Sequence, residues 1–207
     1  MFSMFSPDSK IMAVFGRICD LVLLNFAFLL CCLPLFTIGA AVSALYTVSF
    51  RMMREEDSHI LRQYFRAFRE NFRQATPVFL ILLIVVAPAL VYFDRVFRQE
   101  GIARWSSLIF LLIALVGLLT GSIALPWVSQ FRNSPRQTLL NGLILSISRL
   151  PRALVVTAIW LLPVILWAVN FDLFVKISFL WLALYFAAAA YMCSGLLWHI
   201  FKPYREA

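Results

Sequence analysis

Five stretches of this 207-residue chain are too long and too apolar for a water-soluble domain of that size to bury. The first runs from about residue 12 to 53, and the others are TPVFLILLIVVAPALVYF, SSLIFLLIALVGLLTGSIALPWVSQF, ALVVTAIWLLPVILWAVNF and ISFLWLALYFAAAAYMCSGLLWHIF. Runs of about 18 or more apolar residues read as transmembrane helices. Only 14% of residues are charged, against about 25% in an average soluble domain. The sequence therefore predicts an all-α, polytopic membrane protein in a single domain spanning 1–207.

The first stretch is long enough for one helix of about 63 Å at 1.5 Å per residue, twice a hydrocarbon layer of about 30 Å. Two spans fit better, with a break at LPLFTIG. Pro34 lacks an N–H and disfavours helix at Leu33. Thr37 is the expected N-cap of the next helix, accepting from Gly39 or Ala40, and Gly39 permits close helix contact. Pro34, Thr37 and Gly39 thus form a candidate structural hinge. A shallow re-entrant hairpin is the alternative, and it too returns the chain to its starting side. Lys10 and Arg17 precede a run too long for a signal-peptide core, with no small-residue cleavage site, which reads as a retained anchor.

The expected spans are 12–33, 35–53, 75–93, 106–131, 153–170 and 177–200. Six spans put fourteen of the 18 Lys and Arg on one side, leaving Arg95, Arg98, Arg104 and Lys176 on the other. By the positive-inside rule both termini are cytoplasmic, in a cell membrane. Tyr92, Trp105 and Trp167 then mark the outer interface, and Trp127, Trp198 and Tyr204 the inner one. This topology accounts for the net charge of +8, and no nucleic-acid motif accompanies it.

Two cytoplasmic loops carry amphipathic patterns, over 58–74 and 135–149. In the first, Leu61, Phe65, Phe68 and Phe72 recur at helical spacing, with Arg62, Arg66, Arg69 and Arg73 one position later. Glu55, Glu56 and Asp57 suit the start of such a helix. The pattern predicts an interfacial helix with phenylalanines in lipid and arginines beside the phosphates of the anionic inner leaflet. A docking face for a partner is the functional alternative. In the second loop Ser134 is an expected N-cap, Pro135 sits at N1 and Gln137 completes a capping box. Leu140, Leu143, Ile144 and Ile147 form its apolar face. Each pattern follows one span and precedes a proline-containing one. VSFR at 48–51 resembles VSQFR at 128–132, and Pro88 matches Pro163. That is compatible with a parallel internal repeat, or with a coincidence of composition.

No Walker loop, HExxH helix, nucleophile elbow or paired-carboxylate site is present. His59 and His199 lie far apart in sequence, and Cys19, Cys31, Cys32 and Cys193 lack metal-ligand spacing. No enzyme activity, metal or cofactor is expected. Asp20 and Asn25 are the candidate intramembrane polar residues: Asp20 as a pair with Arg17, Asn25 as an interhelical hydrogen bond or part of a polar path. Asn141 reads as a capping or solvated residue of the second amphipathic helix. Gly117 and Gly121 make a close-packing face.

Asn25, Leu33-Pro34, Thr37-Ile38-Gly39 and Ala44-Leu45-Tyr46, followed by Phe65, Phe68, Asn71-Phe72 and Ala75-Thr76, together resemble the YesL family of bacterial membrane proteins. Leu35-Phe36 departs conservatively from the small β-branched residues usual there. The resemblance implies no active site. It implies a Gram-positive source and the company of carbohydrate importers of the ABC class, hence an accessory or assembly role beside an ABC permease. The competing expectations are a small independent transporter using Asn25 and the broken hairpin, and a lipid-sensing scaffold using the arginine face.

Overall fold

In the computed structural model, residues 10–54, 59–97 and 102–205 are described, and no strand occurs among them. Helix α1 (Lys10–Cys32) stops where expected, before Pro34, and a single 3-10 turn (Leu35–Thr37) leads into α2 (Ile38–Met53). Among the spans α2 is the central one: 72% of its apolar window is buried, against 11% for α3. Its small residues make that possible, because Gly39, Ala40, Ala41, Ser43 and Ala44 are all buried and let neighbouring backbones approach.

The next element differs from expectation. From Ile60 on, the amphipathic segment expected over 58–74 and the span expected over 75–93 are one continuous helix, α3 (Ile60–Phe97), of 38 residues. At 1.5 Å per residue it is about 57 Å long and overreaches a hydrocarbon layer of about 30 Å. No glycine stands between 60 and 97 to end it, and Pro77 and Pro88 are accommodated inside. Glu55, Glu56 and Asp57 lie outside the described residues.

Helix α4 (Ile102–Val128) runs antiparallel to α3: Gly117 faces Val86, Gly121 faces Leu82, and Tyr92 packs tilted against Phe110 with centroids 4.1 Å apart. A Cβ at Gly117 would lie 2.4 Å from Val86 Cγ2, so the GLLTG segment is a contact face. Helix α5 (Pro135–Ser148) starts on its expected cap, with the Gln137 N–H donating to Ser134 Oγ at 3.3 Å. Gly142 of α5 then meets Thr120 and Ala124, inside the end of α4. The second amphipathic helix is therefore packed back along the bundle, exposing Leu140, Ile144 and Ile147.

Helix α6 (Leu150–Val169) and the short α7 (Phe171–Lys176) follow. The last span comprises α8 (Ser178–Leu180), a π-helical turn (Trp181–Tyr185) and α9 (Phe186–Arg205). Among the described residues six helices are long and apolar enough to cross a membrane, and the protein is a multi-pass membrane protein. The two repeat-like units diverge in detail, since α3 is unbroken whereas α5 and α6 are separate at Arg149.

Around α2 the core is aromatic. Trp160 Nε1 of α6 donates to Tyr46 Oη at 2.7 Å, and Phe28, Trp160 and Phe186 pack on one another. Phe50 packs on Trp198 and Phe201, and Trp127 on Phe201 and Tyr204. Trp127, Trp198 and Tyr204, paired by sequence reasoning, thus belong to one end of the bundle. Cys193 is buried in this core and all four cysteines are free.

Candidate functional site

The hinge residues come together, but Thr37 acts differently from expectation. Its hydroxyl makes no cap bond into α2. Instead Oγ1 lies 2.5 Å from the Cys31 carbonyl and 2.6 Å from the Pro34 carbonyl, donating backward into the end of α1. The reason is backbone geometry. Thr37 has αR angles (φ −90°, ψ −8°) and not the extended conformation of a capping residue, because the 3-10 turn already leads into the helix. The Cys31 carbonyl at the end of α1 gains a donor this way, while the Leu30 carbonyl that Pro34 cannot serve accepts from the Leu33 N–H at 3.3 Å, as an apolar layer demands. Gly39 is the close contact: a Cβ there would sit 2.4 Å from Phe79 Cβ and 2.7 Å from the Ala75 carbonyl oxygen.

Asn25 is fully buried, and three backbone partners fix the orientation of its amide. Nδ2 donates to the carbonyls of Trp181 (3.2 Å) and Leu182 (2.7 Å), and Oδ1 accepts from the Ala187 N–H (3.0 Å). These partners flank and include the π-helical turn, where the regular i to i−4 ladder is interrupted. The side chain grips this irregular turn and ties α1 to the last span. Asp20 is brought to a cleft that His59 and Arg62 also line, between α1 and the start of α3.

On α3 the division between faces falls one residue away from the apolar stripe in the sequence. The side turned into the protein carries Ile60, Tyr64, Ala67, Ala75 and Val78. Phe65 is 50% exposed, while Phe68 and Phe72 are half-buried against Ala40, Ala75 and Val128 and so do not all face lipid. Arg62, Arg66, Arg69 and Arg73 are all exposed. Arg66 Nε meets Glu70 at 2.9 Å, an exposed i,i+4 pair of the kind that contributes about 0.3–0.5 kcal/mol.

Two polar residues that sequence reasoning had not singled out for a role hold this helix in place. Asn71 Nδ2 donates to Thr47 Oγ1 on α2 at 3.1 Å. Gln74 Nε2 donates to the Phe131 carbonyl (3.3 Å) and Thr138 Oγ1 (3.2 Å), joining α3 to the α4–α5 connection. Both continue the spacing of Tyr64 and Ala67, and that small-and-polar stripe was the available signal.

Residues 21–95 match the family described as "Protein of unknown function, DUF624", the domain that YesL proteins carry. No curated protein and no solved structure matches the chain.

Proposed function

We propose that this DUF624-domain protein of the YesL family is a non-enzymatic accessory or assembly protein that docks a membrane partner through the basic face of α3. The partner class is the permease of a carbohydrate ABC importer, as the YesL resemblance implies. The arrangement on this reading is a cell-membrane protein of a Gram-positive bacterium, with both termini and the start of α3 cytoplasmic, in keeping with the positive-inside rule. One observation carries it. Arg62, Arg66, Arg69 and Arg73 are exposed on a helix whose opposite side, Ile60, Tyr64 and Ala67, is locked in the core. A face held rigid before binding loses little conformational freedom on binding, and arginine is among the residues enriched at protein interfaces. An independent transporter built on Asn25 has less support, because that amide already serves three partners inside the protein.

The test is a mild-detergent pull-down of the tagged protein from its native membrane. A permease recovered in near-equal amount, and lost when Arg62, Arg66 and Arg69 are replaced by glutamine, is the expected result. Wild-type protein that brings down no permease would overturn the reading.

A further inference from the structure

A polar cleft of about 480 Å³ lies where α3 meets the α4–α5 connection. Two arginines from different elements, Arg73 and Arg132, line it. Among the described residues its one carboxylate is Glu70, which Arg66 engages. Asn71 and Gln74 also line it; their amide nitrogens are spent on Thr47, Phe131 and Thr138, which leaves their carbonyl oxygens as acceptors. The cleft thus offers guanidinium donors for an anion beside amide acceptors for hydroxyl groups. Further along the same helices, an apolar groove of about 430 Å³ is walled by Leu82 and Val85 of α3, Val116 of α4, and Leu139, Leu140 and Leu143 of α5. On α5 the change from polar to apolar lining falls between Gln137 and Leu139.

We infer that these two hollows are one binding site for an anionic phospholipid with a hydroxylated headgroup, of the phosphatidylglycerol class. Its phosphate lies between Arg73 and Arg132, its glycerol hydroxyls face Asn71 and Gln74, and one acyl chain lies in the groove along α5. Each half alone is ordinary: membrane proteins carry basic pockets and lipid-facing furrows. Their succession along α3 and α5 matches the order of groups in an amphiphile. A soluble phosphate ester would leave the groove unused, and a zwitterionic lipid would bring its own cation against the arginines.

The test titrates the full-length purified protein in detergent with dioleoyl phosphatidylglycerol, dioleoyl phosphatidylcholine and glycerol 3-phosphate, reading bound lipid by native mass spectrometry. Phosphatidylglycerol is expected to bind about tenfold tighter than phosphatidylcholine: both carry the phosphate, but choline adds a cation that the arginines repel and has no hydroxyl to donate to the amide oxygens. R73Q/R132Q is expected to erase that preference; both residues are exposed, so the core is spared. Val116→Trp, which fills the groove, is expected to weaken both lipids while glycerol 3-phosphate fails to displace either. Equal binding of the two lipids to the wild type would overturn the assignment. Displacement of phosphatidylglycerol by glycerol 3-phosphate would overturn it too, in favour of a free phosphate ester.

Discussion

Replacing Gly39 by alanine should cost this protein most of its folded yield, although the change adds one methyl group. The new Cβ would lie 2.4 Å from Phe79 Cβ and 2.7 Å from the Ala75 carbonyl oxygen. Neither obstacle is the end of a flexible side chain, so relief requires separating α2 from α3. Overpacking of a well-filled core costs about 1–3 kcal/mol and sometimes more. Here the separation would also strain the Asn71–Thr47 bond, which joins the same two helices. Gly16→Ala is the matched control, because a Cβ there meets nothing within 4 Å. Thermal unfolding in detergent should show a large drop for Gly39→Ala and none for Gly16→Ala. Equal stability of the two variants would contradict the close α2–α3 contact.

The second large effect belongs to Asn25. Leucine has a similar size but would leave the carbonyls of Trp181 and Leu182 without their donor and the Ala187 N–H without its acceptor. Side-chain hydrogen bonds between membrane helices measure about 0.6–1.7 kcal/mol each, so losing three corresponds to roughly 2–5 kcal/mol. Asn25→Asp should fail as well, since an ionised carboxylate accepts and cannot donate to two carbonyls. Because the damage is local to the π-helical turn, hydrogen exchange should accelerate at 181–187 before the rest of the bundle loosens. Unchanged protection there in Asn25→Leu would mean that the turn holds itself together.

The class of fold was legible because the apolar runs and their breaks are governed by the membrane alone. Pro34 ended α1 and Ser134 capped α5 where local chemistry said they would. The orientation of α3 was not legible from its phenylalanines. An apolar stripe marks the buried side of a helix in water, but a membrane protein's outward faces are apolar too, so apolarity alone did not tell the sides of α3 apart. Leu61 and Phe65 point outward, whereas Tyr64, Ala67 and Ala75 turn inward. Small and polar residues at helical spacing were the better guide. Thr37 misled because the 3-10 turn leaves it with helical backbone angles, from which its hydroxyl donates back to the Cys31 and Pro34 carbonyls and does not reach the first amides of α2. Asn25 was recognised as an interior polar residue, but its partners lie more than 150 positions away in a π-helical turn that no sequence pattern announced.

Whether the arginine face of α3 meets a protein is best settled inside the native membrane. A photo-crosslinking residue would be placed in turn at Arg62, Arg66 and Arg69, with the exposed Trp105 of α4 as the control position. One crosslinked permease band is expected from the three α3 positions and none from position 105. Crosslinks to lipid alone from all three α3 positions would contradict it.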